Sequence, residues 1–338
     1  MSGKGDKCVG CIRRGLGQVF VAPDSGPYRI LCLPCLCLRN NHTPAHPPDT
    51  HSRGLKLLLA ENSFEAALGK VQDGPFTPAD RVVFEHALLD AFLAMDREIA
   101  RVNRDRWINI HKVQDLLCRF WGQRGQNVDT GYLFTLNQDL WPERHFYNQY
   151  VSGAASVTLP GLQKRPNQRW FTPDLGPYGE AFVMQPLPDP AAHANPRGCF
   201  NVVKLHGSFN WRTSDGRNEL VVGTGKTDRI ATSPLLSWYW EIFKSVLSSG
   251  NVRLLVVGYG FADDHVNAVI ADAVDHHGLK LFIWDTGANL RDRVNAAPYG
   301  PLIWKGVLST ATRPMIEVFP SSQDETEEYR RICRTLFG

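Results

Sequence analysis

Four short apolar runs, each interrupted at its carboxyl end by a cluster of polar residues, punctuate the chain: Tyr132 to Phe134, Val202 to Leu205, Arg253 to Val257 and Leu279 to Trp284. Their length and their content of branched and aromatic residues predict buried strands. Between and around them the apolar spacing changes. Val82, Val83, Leu88, Leu89, Phe92 and Ile99, then Ile108, Val113, Leu116 and Leu117, recur at helical intervals and predict helices between Pro78 and about Gly122. Further helices are predicted over Pro234 to Leu247, Val266 to His276 and Glu325 to Phe337. Residues Pro160 to Arg197, rich in Pro, Gly, Gln and Asn, show little periodicity and read as an irregular insertion, either a lid over a ligand crevice or a surface loop. The alternation predicts an α/β class: a Rossmann-like, mostly parallel sheet with flanking helices. In such sheets ligands bind beyond the carboxyl ends of the strands.

The amino-terminal segment reads differently. Cys8-x-x-Cys11 and Cys32-x-x-Cys35 are separated by twenty residues. Two such pairs supply four thiolates for the tetrahedral shell that zinc prefers, so a small zinc ribbon is expected over residues 1–39. The strand-like runs Gln18 to Val21 and Tyr28 to Leu31, joined through Pro23 to Pro27, make its hairpin. Unligated buried thiols are the alternative, and Cys37 is a spare ligand. Residues 40–54, with Pro44, Pro47, Pro48 and the irregularly spaced His42, His46 and His51, read as a linker. The Rossmann-like domain then spans residues 55–338.

Composition adds limits. The chain of 338 residues is 43% hydrophobic and 21% charged, with a formal charge of +3, which is long enough for a large core and gives no general nucleic-acid footprint. Nucleic acid stays open only through the ribbon. No run resembles a signal peptide or a membrane span, so a cytoplasmic location is expected, where crowded cysteines favour metal over disulfides.

Three polar clusters carry the chemistry: Thr135-Leu136-Asn137-Gln138-Asp139, Lys204-Leu205-His206-Gly207-Ser208, and Gly258-Tyr259-Gly260-Phe261-Ala262-Asp263-Asp264-His265-Val266-Asn267. In order and content they resemble the sirtuin-like domains of bacterial antiphage defence proteins, which cleave NAD between nicotinamide and ribose. The resemblance covers roughly residues 55 to 320. It implies NAD as substrate, His206, Asn137 and Asp139 as catalytic residues, and Thr135, Ser208, Gly258, Tyr259, Gly260, Asp263, His265 and Asn267 as residues that bind the dinucleotide. Asp285, ending the fourth strand, stands where an acid takes ribose hydroxyls in dinucleotide-binding folds. One departure is plain: the Gly-Ala-Gly-x-Ser phosphate loop of that family is replaced by Gly54-Leu55-Lys56-Leu57-Leu58-Leu59-Ala60-Glu61-Asn62-Ser63, where Glu61 puts negative charge at the phosphate position.

For the individual residues, chemistry and structure compete. Asn137 suits a ribose hydroxyl and an attacking water, and it equally suits a helix cap. Asp139 orients a carboxamide, supports Asn137, caps, or joins a local salt bridge. His206 has a reference pKa near neutrality and can accept a proton; the alternative is a satisfied core histidine. Gly258 and Gly260 admit a close ligand, and the helix that follows offers amide groups to an anion. The expected function is an NAD glycohydrolase releasing nicotinamide and ADP-ribose, an effector held idle until a defence-operon partner or self-association releases it. A protein deacylase is less consistent with the order of cysteines and catalytic histidine. A non-catalytic NAD or ADP-ribose sensor or scaffold is the rival from another class.

Overall fold

A computed structural model describes residues 69–71, 73–104, 107–120, 130–146, 157–171, 180–192, 200–322 and 325–337. The ribbon cysteines Cys8, Cys11, Cys32 and Cys35, the linker 40–54 and the segment Gly54 to Ser63 all lie outside these residues.

Local chemistry sets most of the element boundaries. Helix α1 (Pro78–Arg104) starts where Pro78 follows a reciprocal cap: Thr77 Oγ1 accepts from Asp80 N at 3.2 Å, and Asp80 Oδ2 accepts from Thr77 N at 3.0 Å. Helix α2 (Ile110–Arg119) begins at Asn109, whose Oδ1 accepts from Lys112 N. Strand β1 (Gly131–Thr135) leads to α3 (Trp141–Phe146). Then come β2 (Val157–Thr158), β3 (Leu162–Phe171), β4 (Glu180–Pro186), β5 (Phe200–Lys204), β6 (Gly207–Arg212) and β7 (Asn218–Leu220). Helix α4 (Lys226–Thr232) is followed by α5 (Pro234–Leu247), which Ser233 caps by accepting from Leu236 N. Strand β8 (Arg253–Val257), helix α6 (Asp264–His277) and strand β9 (Lys280–Trp284) form a right-sized crossover unit, with Gly278 in the left-handed region closing the helix. Helices α7 (Leu290–Ala296) and α8 (Gly300–Lys305), strand β10 (Val307–Ala311), helix α9 (Met315–Val318) and helix α10 (Glu327–Phe337) complete the order.

Two sheets are wholly parallel, in the orders β1-β5-β2 and β10-β9-β8, and a third, mixed sheet runs β3-β4-β6-β7. Parallel sheets flanked by helices are what the sequence pattern predicts. One continuous core joins both parallel sheets to α5, α6 and α10: Val202, Val203, Leu281, Val294 and Ile303 are each fully buried within it. A smaller cluster of Leu88, Phe92, Leu140, Phe209, Leu220 and Val222 fastens α1 to the mixed sheet, with the Phe92 and Phe209 rings stacked at 5.4 Å.

The insertion expected to be irregular is the main correction to the fold. Residues Leu162–Phe171 and Glu180–Pro186 pair as antiparallel strands. The polar stretch Gln163 to Arg169 conceals the period of the first strand, because one face of an antiparallel pair can meet water and needs no apolar residues, while the second carries the short apolar run Ala181 to Met184. The pairing register slips between Lys164 and Arg169, across Pro166, which has no amide hydrogen for the ladder.

Candidate functional site

Strands β1 and β5 lie side by side in register, Thr135 opposite Lys204, so the chain segments that leave them emerge together. Backbone and side-chain bonds then stitch these segments. Leu205 N donates to Thr135 O at 2.9 Å, Phe209 N to Gln138 O at 3.3 Å, and Ser208 Oγ to Gln138 O at 3.0 Å. Asn137 N donates to Thr135 Oγ1 at 3.0 Å, which fixes the first turn of the loop. Asp139 Oδ1 accepts from Trp141 N at 2.8 Å, so it caps α3, and its carboxylate also accepts from the Asn137 side chain. Of the alternatives left open for Asp139 by the sequence, cap and support for Asn137 therefore hold together.

Beneath both loops sits a buried cation. The Lys204 side chain has no exposed surface; its ammonium donates to Asp139 O and to Ser208 Oγ (3.1 Å) and pairs with Glu143 Oε1 at 2.7 Å. Burial raises the carboxyl pKa values of Asp139 and Glu143, and Lys204 is the principal group opposing that rise. Helix α3 is anchored from its other side by Arg144, which meets Asp96 of α1 in a buried bidentate pair.

His206 follows directly, and its surroundings come from a different part of the chain. Gly207, at φ +74, turns the backbone back; a Cβ there would lie 2.1 Å from Glu219 O, so only glycine fits. His206 O accepts from Val221 N at 2.8 Å. The imidazole is 2% exposed and its Nε2 stands 3.1 Å from His265 Nε2. Trp240 of α5 covers His265, with ring centres 5.0 Å apart. Burial drives the His206 pKa down to about 3; Asp263 pulls it upward, while Lys226 and His265 push it lower. The ring is neutral at ordinary pH. Only one of the two facing Nε2 atoms can then carry hydrogen, so the two rings are held as complementary tautomers.

The third loop is built by Asn267. Fully buried, its Nδ2 donates to Phe261 O at 2.9 Å and its Oδ1 lies 2.9 Å from the Tyr259 hydroxyl, which also reaches Asp263 O at 3.2 Å. These bonds hold Phe261 at φ 56, an uncommon conformation for a residue with a side chain, while Gly258 takes φ 61 without cost. Burial raises the Tyr259 pKa, with Asp263 adding to the rise, so the phenol stays protonated. Asp263 Oδ1 pairs with Lys226 Nζ at 2.7 Å.

The sequence-predicted residues thus divide. Asn137, Asp139, His206, Asp263 and His265 are brought to the strand ends of β1, β5 and β8. Ser208, Tyr259 and Asn267 spend their polar groups on internal bonds and brace the loops, and Thr135 does the same for Asn137. Asp285 accepts from Gly287 N at 2.6 Å and pairs with Arg293 Nη2 at 2.7 Å, shaping its own loop. Gly260 faces open space. Helix α6 starts at Asp264 with Asp263 at its cap, so two carboxylates stand at the helix end whose amides were expected to meet an anion. Sequence reasoning passed over Lys204, Glu143, Lys226 and Trp240. A lysine closing an apolar strand demands a buried acid, so Lys204 was discoverable; nothing in the pattern marks Glu143 as that acid.

Comparison with known proteins places this geometry in context. Residues 177–295 match the SIR2-like domain family. The matched span takes in His206, Asp263 and His265, and leaves Asn137 and Asp139 outside it, in the loop that follows strand β1. It supports a sirtuin-like family and, in broad terms, NAD-related chemistry. No curated protein matches the chain. No helix among the described residues is long and apolar enough to cross a membrane.

Proposed function

We propose that this protein is an NAD glycohydrolase, releasing nicotinamide and ADP-ribose at the carboxyl ends of β1 and β5. The observation that supports it most is the stitching of the Asn137 loop to the His206 loop through Leu205, Ser208 and Lys204, within and beside the SIR2-like span. The donor set suits the nicotinamide ribose: a carboxamide, a carboxyl held near it and a neutral imidazole. NAD supplies the scissile glycosidic bond, which breaks through a ribose of oxocarbenium character.

The work of the chain is positioning and proton handling. Asn137, its backbone pinned by Thr135 and its amide directed by Asp139, orients a ribose hydroxyl and the attacking water. His206 takes a proton. When its Nε2 carries hydrogen toward His265, its Nδ1 has the lone pair to accept, and the Nε2 proton can pass on to His265. Two imidazoles 3.1 Å apart therefore act as a relay. The diphosphate is not served by the acidic end of α6, so its contacts fall to other segments.

Incubation of the full-length chain with NAD, beside Asn137→Ala and His206→Ala, tests the reading. Nicotinamide release that either substitution abolishes is the expected result. Release unaffected by both would end it. The resemblance to antiphage proteins adds that NAD loss in cells would follow phage challenge, with a partner or self-association as trigger. Burial of His206 and the two carboxylates at α6 favour a second reading, an NAD or ADP-ribose sensor; binding of NAD without turnover in the presence of the operon partner would select it.

A further inference from the structure

The His206–His265 pair has a third member. The ligand-capable atoms of His206, Asp263 and His265 all lie within 4.8 Å of one another, in a setting where one is buried and two are half-buried. From this geometry we infer that His206, His265 and Asp263 form a binding site for a divalent transition-metal ion, with zinc the best fit.

Distances argue for it first. Two nitrogen ligands of a tetrahedral zinc at about 2.0–2.1 Å stand roughly 3.3 Å apart. The two Nε2 atoms are 3.1 Å apart, close to that separation, and the ring centres stand 5.4 Å apart, so the rings face each other head-on and each turns by roughly 35° to aim its lone pair at a shared ion. Asp263, with a carboxylate oxygen within 4.8 Å of both imidazole nitrogens, takes the third position, and the fourth is left for water. Two imidazoles with one carboxylate are a donor set that zinc and its neighbours in the transition series take readily. Both rings are already packed at the site, His265 by Trp240 and His206 beside the turn at Gly207, so only their orientation changes when an ion arrives.

Binding has a stated proton balance. The hydrogen now shared between the Nε2 atoms shifts to Nδ1 of the ring that carries it, so both rings present Nε2 lone pairs and no proton need be released. It also has a stated competitor. Lys226 holds Asp263 at 2.7 Å and would sit beside the incoming ion, so its ammonium must swing away, and removing it should strengthen the site. On the NAD-cleavage reading, the ion and the proton relay compete for the same nitrogen of His206, and metal occupancy switches turnover off.

Cobalt(II), titrated into the metal-stripped full-length chain, is the probe. Ribbon thiolates would announce themselves by intense charge-transfer absorption. The proposed site should give a separate, weaker visible spectrum of nitrogen and oxygen ligation, saturating at one equivalent and displaced by zinc. His265→Ala and Asp263→Asn should each lose that spectrum while melting like the metal-free parent. Lys226→Met should bind cobalt roughly tenfold tighter or more, since a like charge a few ångströms from the ion is gone; a merely misfolded variant would not gain affinity. Absence of the non-thiolate spectrum, its persistence in both ligand variants, or weaker binding by Lys226→Met would overturn the site. If NAD turnover is seen in the metal-free chain and saturating cobalt leaves it intact, the switch is refuted. If there is no turnover at all, the hydrolase reading fails while the spectra still decide the site.

Discussion

Replacing Lys204 by Met removes the one buried ammonium that joins the Asn137 loop, the His206 loop and α3, without removing the aliphatic stem. In the native protein this group pairs with Glu143 at 2.7 Å and donates to Asp139 O and Ser208 Oγ. Taking one partner from a buried ion pair costs about 3–5 kcal/mol, because the other charge is left without compensation. For 338 residues the unfolding entropy is roughly 0.7 kcal/mol/K, so the melting temperature should fall by about 4–7 °C near neutral pH. The pH dependence separates this mechanism from loss of packing. The folded pKa of Glu143 already lies above its ordinary value, through burial opposed by Lys204. A carboxyl raised in this way contributes most stability below its unfolded pKa, about 4.3, and loses it as pH rises through the folded value. Without Lys204 the folded value climbs further, so the loss extends toward neutrality. Thermal melts of parent and variant from about pH 5 to about pH 8 should therefore show a gap that widens with pH, and Glu143→Gln in the Lys204→Met background should recover part of it. A gap that stays constant across that range, or one below about 1 °C, would refute the account.

Other substitutions test the remaining parts of the site. Asn267→Ala leaves Phe261 O and the Tyr259 hydroxyl without their partner in a buried loop and should cost about 2–4 kcal/mol, read as a lower melting temperature and faster amide exchange across residues 258–263. Gly207→Ala combines a left-handed backbone costing about 1–2 kcal/mol with a Cβ that meets Glu219 O, so the variant should express poorly or melt well below the parent. His145 is buried with Nε2 2.9 Å from Ile99 O, and burial lowers its pKa to about 4. Its contribution is complete above the unfolded pKa of about 6.5 and is lost as pH falls toward the folded value, on the order of 3 kcal/mol in all, so His145→Gln should flatten acid destabilisation between about pH 6.5 and 4.

Legibility in the sequence followed the physics of each element. Strand β8 and helix α5 were readable to the residue, because a short branched run and a Ser-Pro start with aromatic helical spacing each have one good interpretation. Strands β1, β5 and β9 and helices α6 and α10 were readable to within one or two residues. The pair β3–β4 was not, since β3 is polar through most of its length, the apolar run of β4 is only four residues long, and its β6 partner is remote in sequence. The short elements β6, β7, α4 and α7 to α9 were missed for a related reason: too few residues lie in each for a period to show. At the site, the residue types were legible and their partners were not. Nothing within Lys204 to Ser208 tells that the imidazole of His206 faces His265, fifty-nine positions away, or that Ser208 serves Lys204.

The arrangement of charge says how such a site would stabilise a cation-like ribose. Two carboxylates near the strand ends already have a cation: Lys204 opposes Asp139, and Lys226 pairs with Asp263. Neither acid is left as a bare counter-charge, and burial further raises the pKa of Asp139. Stabilisation should therefore come from oriented neutral dipoles, chiefly Asn137, with Asp139 acting by holding that amide and capping α3. This makes a distinction that turnover can measure. Asp139→Asn keeps an oxygen to accept from Trp141 N while removing the charge and exchanging the other carboxylate oxygen for an NH2 group, whereas Asp139→Ala removes the cap as well. Nicotinamide release by Asp139→Asn should exceed that by Asp139→Ala by roughly tenfold, the worth of one hydrogen bond of about 1.4 kcal/mol. Equal loss in the two variants would mean that the negative charge itself is required, and the dipole account would have to give way to a direct ionic role for Asp139.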